Sequence, residues 1–291
     1  MIEVDHRYAK LQQVRLHYVE ARPDRDDAPL VLLLHGFPEF WYAWRYQIGP
    51  LRDAGFHVVA PDLRGFNLSD KPKGTANYRM EVLVEDARVL IAELGHERAI
   101  IVGHDLGGLV AWHFAMEHPK MVRRLVVMNC PHPAHETAMI TDLRQLRRSW
   151  YMLFFQLPFL PRWAIERKGF FALRRLFARD PQRRDAYTEA DIERYVEAFG
   201  HGTTEAALQW YRALLRRNVF AIEETLRPID VPTQVIWGRH DSAIGFEYAQ
   251  PPARWVWDVR VDVLDDASHW VQCDRPETVN ALLLDFLGSS T

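Results

Sequence analysis

Apolar residues along this chain fall into short, dense runs separated by polar turns, and the spacing of these runs predicts an alternation of strands and helices. An early strand is predicted over Leu11–Val19. A fully buried one is predicted over Leu30–Leu34, where five consecutive apolar residues leave no polar face. Phe56–Ala60 and Ala99–Val102 read as further short strands, with helical segments over Trp41–Arg52 and Met80–Leu94. After a turn at Gly103, a helix from about Gly107 to Glu117 is ended by His118-Pro119, and the strand Val122–Met128 follows. Strands separated by helices of about 10 to 15 residues imply a mostly parallel α/β sheet covered on both sides.

The pattern changes at Pro131. From there to Pro228 the chain is helical in character and rich in aromatic residues, with helices predicted over Glu136–Phe155, Trp163–Phe177, Glu189–Phe199 and Thr203–Arg217. Strands then return at Gln234–Trp237 and Arg260–Leu264, followed by a last helix, Pro276–Phe286. This organisation predicts a core made of residues 1–130 and 229–291, interrupted by a helical cap over 131–228. Such a cap sits over the carboxyl ends of the strands, where open α/β sheets bind ligands.

Composition narrows the partners. The chain has 291 residues, with 36 Lys and Arg set against 39 Asp and Glu, so a phosphate backbone meets no general positive field and no nucleic-acid partner is expected. Residues Met1–Lys10 carry no apolar leader, and no apolar run approaches the roughly 20 residues of a membrane span. The expectation is a cytoplasmic protein with no membrane partner. Cys130 and Cys273 lie far apart without metal-ligand spacing and read as two unpaired thiols; no metal is expected. No dinucleotide fingerprint and no Walker lysine is present, so no cofactor is expected either.

The most informative local sequence is Ile100-Ile101-Val102-Gly103-His104-Asp105-Leu106-Gly107-Gly108. A strand, a sharp glycine-flanked turn and an apolar helix form the context of a nucleophile elbow, here with Asp105 at the position usually held by serine; the competing reading is a tight turn without chemistry. In the α/β-hydrolase fold the oxyanion hole takes one N–H from the residue after the nucleophile and one from a loop after a central strand, which nominates Leu106 and Phe37. His35 beside Phe37 reads as loop support. Asp62–Asp70 reads as scaffolding. A carboxylate nucleophile forms an ester that water must cleave, and His269, after the strand Arg260–Leu264, is placed to act as the base. His240 is the rival, but it precedes Asp241, which occupies the acid position after the strand Gln234–Trp237. The order Asp105, Asp241, His269 is the nucleophile, acid, base order of this fold.

On these residues the sequence resembles the epoxide hydrolase branch of the α/β-hydrolase superfamily, related to haloalkane and fluoroacetate dehalogenases. The phrases that carry the resemblance span nearly the whole chain: His35-Gly36-Phe37-Pro38-Glu39, Trp41-Tyr42-Ala43-Trp44-Arg45, Asp62-Leu63-Arg64-Gly65, Gly103-His104-Asp105-Leu106-Gly107-Gly108, Trp237-Gly238-Arg239-His240-Asp241 and Ser268-His269-Trp270. The resemblance implies two cap tyrosines that assist epoxide opening. The matching residues are Tyr151 in Ser149-Trp150-Tyr151-Met152 and Tyr211 in Gln209-Trp210-Tyr211-Arg212. Read without the resemblance, an aromatic stripe in a cap is more often packing than chemistry. The implied substrate is an apolar epoxide, with water as co-substrate and a vicinal diol as product. Trp150 and Phe154, with Phe155, Phe159, Trp163 and Phe170, are candidates to line an apolar pocket.

The dehalogenase relatives fit less well. Haloalkane dehalogenases resemble one another in placing Trp after the nucleophile, where this chain has Leu106. Fluoroacetate dehalogenases place arginines at the positions of Leu106 and Leu109. Trp150 remains the candidate halide donor in that alternative. A binding protein on a degenerate hydrolase fold is the non-enzyme alternative, and the presence of all three of Asp105, Asp241 and His269 weighs against it.

Overall fold

The apolar run Leu30–Leu34 lies inside an eight-stranded sheet with every side chain buried, in a computed structural model that describes residues 3–25, 27–217 and 222–288. In chain order the strands are β1 (Asp5–Lys10), β2 (Arg15–Ala21), β3 (Leu30–Leu34), β4 (His57–Pro61), β5 (Ala99–His104), β6 (Val122–Met128), β7 (Thr233–Gly238) and β8 (Val259–Leu264). They are arranged β1-β2-β4-β3-β5-β6-β7-β8, antiparallel as far as the β2–β4 pair and parallel from β4 onward. Alternate residues of β3 serve opposite faces: Leu30, Leu32 and Leu34 join one buried cluster, Val31 and Leu33 another. That is the period-two geometry of a strand covered on both sides, and each fully buried Leu or Val contributes about 1.5–3 kcal/mol.

The amino-terminal prediction needs correction. Leu11–Val19 is not one strand: the chain turns between residues 10 and 15, with the Leu11 N–H donating to the Val14 carbonyl at 2.8 Å, and β1 and β2 form a hairpin. β1 is an edge strand with five of its six residues exposed, so it has no apolar signature to read. Trp41–Arg52 likewise divides into a 3-10 turn, Trp41–Trp44, and the short helix α1 (Ile48–Asp53).

Two helices support the centre of the sheet, α2 (Met80–Glu93) and α3 (Leu106–Glu117). Ten of the twelve residues of α3 are buried, because it is wedged against β5, β6 and α2. A helix apolar all round is what such a position requires. Two short or closing helices follow β8, α11 (Val271–Asp274) and α12 (Pro276–Gly288) by their order in the chain.

Between β6 and β7 lie α4 (Glu136–Thr141), α5 (Leu143–Arg148), α6 (Trp150–Phe154), α7 (Leu160–Arg179), α8 (Glu189–Gly200), α9 (Thr203–Leu215) and α10 (Ile222–Thr225). The predicted single helix Glu136–Phe155 is therefore three. Asp142 leaves helical geometry and caps α5, its carboxylate accepting the Arg144 N–H at 2.8 Å, and Ser149 breaks the chain again before α6. Within α7, Lys168, Gly169 and Phe170 all have positive φ and interrupt the helix. Residues 218–221 of the predicted cap, and residues 1, 2, 26 and 289–291 of the predicted core, lie outside the described residues. No helix among the described residues is long and apolar enough to cross a membrane. Both cysteines are buried and unpaired.

Two buried imidazoles make stability depend on acidity. Burial, assisted by Arg217, lowers His113 to about 3, and burial with neighbouring His135 and His113 lowers His132 to about 3. Both rings are neutral in the folded chain, while in the unfolded chain they take up protons below about 6.5. The unfolded state thus binds more protons between about pH 6.5 and pH 3, so stability is lost as pH falls through that window. Urea midpoints measured at pH 7 and pH 5 are expected to fall by an amount equivalent to roughly 1–2 kcal/mol per histidine. In His113→Gln the pH dependence should be shallower; an unchanged slope would contradict this origin.

Candidate active site

The ends of β3, β5, β7 and β8 bring four segments together. β5 runs into Asp105, whose backbone takes φ 48° and ψ −120°, a conformation that costs on the order of 1–3 kcal/mol in a non-glycine residue. The turn closes only because its neighbours lack side chains. A Cβ on Gly103 would stand 2.4 Å from the Gly107 carbonyl oxygen, and one on Gly107 would stand 2.2 Å from that of Leu34. Two backbone bonds hold the strained residue: its N–H donates to the Met128 carbonyl at 3.2 Å, and its carbonyl accepts the Leu109 N–H at 3.0 Å. The Asp105 side chain stands at the amino-terminal end of α3, where anions are favoured.

The Phe37 N–H donates to Asp105 Oδ2 at 2.8 Å. Leu106 is the first residue of α3, so its N–H belongs to the helix turn that has no intrahelical acceptor. His269 Nε2 faces the other oxygen, Asp105 Oδ1, at 3.9 Å, beyond hydrogen-bond range. On its far side His269 Nδ1 donates to Asp241 Oδ2 at 2.8 Å, which leaves Nε2 facing Asp105.

Asp241 is fully enclosed and receives four donors. His269 and the Asn129 amide at 2.7 Å share Oδ2, and the N–H groups of Ala243 and Ile244, each at 2.8 Å, share Oδ1. Burial alone would raise this carboxyl, but the charge and hydrogen bond of His269, followed by Asn129 and the Ile244 N–H, hold it below its ordinary value. Burial alone would likewise lower His269; the carboxylates of Asp241 and Asp105 overcome it and raise the imidazole to about 10. In the free protein His269 is therefore protonated at neutral pH.

Asn129 stands directly after β6 and belongs to none of the motifs quoted from the sequence. It offers no charge, yet it donates to Asp241 and accepts the Gly238 N–H at 3.2 Å, joining the ends of β6 and β7. It sits at φ 45°, a conformation that asparagine tolerates better than most residues, so its place directly after a strand is the signal. Asn129→Ala is expected to lower stability by about 1–3 kcal/mol in denaturant titrations, through a lost buried bond and a strained alanine. An unchanged midpoint would show that the contact carries no energy. Glu39 and His104, quoted only within motifs, also have structural work. His104 bridges Glu39 at 2.7 Å and the His269 carbonyl at 2.8 Å, tying the loop after β3 to the loop after β8.

The other histidines fall outside this constellation. His35 bonds the Gly36 carbonyl at 2.8 Å and accepts the Leu63 N–H at 3.0 Å, bracing the loop that carries Phe37. His240 is exposed. Asp62, buried in the Asp62–Asp70 segment, accepts the Trp41 N–H at 3.0 Å and the Asn67 amide at 2.8 Å, a bracing pattern.

Tyr151 on α6 and Tyr211 on α9 meet edge to face, ring centroids 5.8 Å apart, with Phe37 5.2 Å from Tyr211. The helices are fastened by Arg212, whose guanidinium donates to the Phe155 and Leu157 carbonyls at 3.2 and 3.1 Å. The buried Trp210 indole fixes α9 from below by donating to the Arg64 carbonyl at 2.9 Å. Burial raises both phenols well above their ordinary value, and the Asp105 charge adds to the effect. Both remain protonated and able to donate.

Asp105, Tyr151 and Tyr211 stand where two cavities meet. One, of about 530 Å³, is also lined by His269, Trp150, Phe154 and Phe155; the second, of about 340 Å³, continues past Leu106, Leu109 and Met152. Of the aromatic residues nominated for the pocket, Phe159, Trp163 and Phe170 line neither. Phe159 is 87% exposed, because the turn before α7 carries it outward.

Comparison with known proteins places this geometry. The alpha/beta hydrolase fold family matches residues 29–276. The chain is 40% identical over 277 residues to the AB hydrolase superfamily protein YfhM of Bacillus subtilis, covering 94% of each. It is 38% identical over 289 residues to Epoxide hydrolase 1 of Caenorhabditis elegans, covering 97% of this chain and 70% of that protein. Among solved structures, Bacillus megaterium epoxide hydrolase in complex with an inhibitor superposes with a TM-score of 0.86 at 34% identity, covering 97% of this chain and 100% of that one.

Proposed function

The chain belongs to the epoxide hydrolase branch of the α/β-hydrolase superfamily, and from that premise we propose that it hydrolyses apolar epoxides through a hydroxyalkyl ester of Asp105. The observation that carries this reading is the convergence of an aspartate elbow, a His–Asp pair and two protonated phenols on one junction between two apolar cavities. In this reading residues 131–228 form the cap over a core of 1–130 and 229–291.

The chemistry follows from the atoms. Asp105 Oδ2 is occupied by the Phe37 N–H, which leaves Oδ1 to attack an epoxide carbon from the side opposite the breaking C–O bond. The electron pair of that bond passes to the epoxide oxygen, which takes a proton from Tyr151 or Tyr211. The product of this step is an ester between Asp105 and the substrate carbon. Formation of the ester removes the Asp105 charge that helps hold the proton on His269, so the imidazole becomes more acidic and can release it. Neutral His269, oriented by Asp241, then takes a proton from water as the water oxygen attacks the Asp105 carbonyl carbon. Negative charge collects on the carboxyl oxygen facing the N–H groups of Phe37 and Leu106, a type of contact worth about 3–4 kcal/mol in other hydrolases. Collapse breaks the acyl C–O bond, and His269 passes the proton taken from water to the departing alkoxide, which leaves as the vicinal diol. His269 then takes up the remaining proton of the new carboxyl group, while the proton that it released earlier returns to the tyrosinate, so that carboxylate, phenol and imidazolium are all restored.

Two cavities meeting at the nucleophile suit an epoxide with an apolar substituent on each side, while the breadth of the larger one also admits an aryl group. The chain is expected to convert styrene oxide to its diol and to leave 1-chlorobutane and fluoroacetate intact, as followed by product chromatography and halide release. Halide release with no turnover across a panel of terminal and internal epoxides would overturn the reading. Trp150, the halide donor of that alternative, has 61% of its surface exposed, a poor setting for holding an anion away from water.

A further inference from the structure

Asp180, at the end of α7, spans the two loops that hold the base and its orienting acid. Its Oδ2 accepts the Trp270 indole N–H at 2.8 Å, and its Oδ1 accepts the Ser242 hydroxyl at 2.7 Å. Trp270 directly follows His269, and Ser242 directly follows Asp241. One carboxylate from the helical insertion thus bonds to the loop after β8 and to the loop after β7, the same two loops across which the 2.8 Å His269–Asp241 bond must be maintained.

Packing reinforces the attachment. Trp270 is buried and meets the His269 ring edge to face at 5.0 Å, so the plane of the indole limits the tilt of the imidazole. Phe177, one helical turn before Asp180, packs against the indole with ring centroids 5.2 Å apart. The last turn of α7 therefore grips Trp270 twice, by a ring contact and by a hydrogen bond. Asp180 is half-buried and lines the larger cavity together with His269 and Trp270.

The geometry points to Asp180 as a positioning residue for ester hydrolysis, one that clasps the His269 and Asp241 loops from the insertion and places a third carboxylate near the base. This inference rests on the ester mechanism proposed above. The groups facing His269 come from every surrounding element: Asp105 on the elbow, Asp241 after β7, Glu39 after β3, His104 at the end of β5, Asp180 after α7, and Arg148 of α5 on the shared cavity wall. Asp180 adds to Asp241 and Asp105 in favouring the protonated imidazole. Its removal has two separable consequences, a looser His269 through Trp270 and Ser242, and a His269 that gives up its proton at lower pH.

Single-turnover measurements with styrene oxide separate ester formation from ester breakdown. Asp180→Ala should slow breakdown by about tenfold or more, since misplacement of a catalytic group by about 1 Å can cost up to a hundredfold, and should leave formation within about twofold of the parent. Asp180→Asn keeps the shape and one acceptor but loses the charge. Its breakdown should retain most of the rate while the acidic limb of the pH profile moves down by roughly half a unit to one unit. Trp270→Phe, which keeps a ring beside His269 but deletes the N–H, should slow breakdown, and combining it with Asp180→Ala should add little. Should Asp180→Ala fail to fold, the pH profile of Asp180→Asn and the rate of Trp270→Phe decide the matter. Wild-type breakdown rates with an unmoved pH profile in the Asn variant would overturn the inference while leaving the ester mechanism intact. Absence of any ester in the unmodified protein would overturn both, and that outcome is recognisable before any variant is made.

Discussion

Replacing Tyr151 and Tyr211 together with Phe is expected to abolish epoxide opening, with ester formation falling by at least about a thousandfold. An epoxide opens to an alkoxide that must be protonated as it forms, and general acids of this kind typically contribute 10²–10⁴-fold. Both phenols are buried at the junction of the cavities and held in the protonated state by burial first, with the Asp105 charge next for Tyr151, and Tyr151 and then Asp105 next for Tyr211. Each single Phe variant keeps one donor and should lose about ten- to a hundredfold. Phe preserves the ring contacts with Phe37 and Phe155, so the melting temperature should change little. Stopped-flow measurement of the first turnover checks this. Full activity in the double variant would remove both tyrosines from the chemistry while leaving the enzyme class in place.

His269→Gln should divide the reaction in two. Turnover is expected to fall by about 10³-fold or more because no base remains to activate water, whereas Asp105 and both tyrosines are untouched and ester formation continues. The denatured variant, after exposure to excess styrene oxide, should carry one substrate mass on the peptide containing Asp105. In the unmodified protein the two half-reactions should differ in pH dependence. His269 stands at about 10 while Asp105 is ionised, so ester formation should change little across neutral pH. Ester breakdown requires a neutral imidazole, whose proton is held less tightly once the Asp105 charge is gone, so breakdown should rise with pH through a lower midpoint than that of the free protein. A breakdown rate that is flat from pH 6 to pH 9 would contradict the base assignment.

Much of this arrangement is legible in the chain because its physical causes are local. β3 announces itself since a strand covered on both faces has no place for a polar residue, and the elbow announces itself since only glycine fits at Gly103 and Gly107. Asp105, Asp241 and His269 can be nominated because Asp105 follows directly on β5 and the other two lie in the loops that follow β7 and β8, and strand ends are where this sheet presents side chains. What escaped depends on partners distant in sequence. β1 is exposed and defined only by pairing with β2, so no pattern of its own reveals it. Asn129 carries no charge to attract attention, and its link to Asp241, 112 positions later and 2.7 Å from its amide, exists only in the fold. The second cavity exists only because α4, α5, α6 and α9 assemble around Leu109, and Phe159 is excluded from the pocket by the direction of one turn. Aromatic composition alone distinguishes neither.

The central claim is that the oxygen added to the substrate comes first from Asp105 and only afterwards from water. A single turnover with enzyme in excess over epoxide, in water enriched in oxygen-18, tests this directly by mass spectrometry of both diol and protein. In the ester mechanism Asp105 Oδ1 bonds to the substrate carbon and leaves with it, and water replaces that oxygen on the carboxylate. The diol of the first turnover should therefore be unlabelled, and the Asp105 peptide should carry one heavy oxygen. A labelled diol beside an unlabelled Asp105 peptide would mean that water attacks the epoxide directly, and would contradict the account.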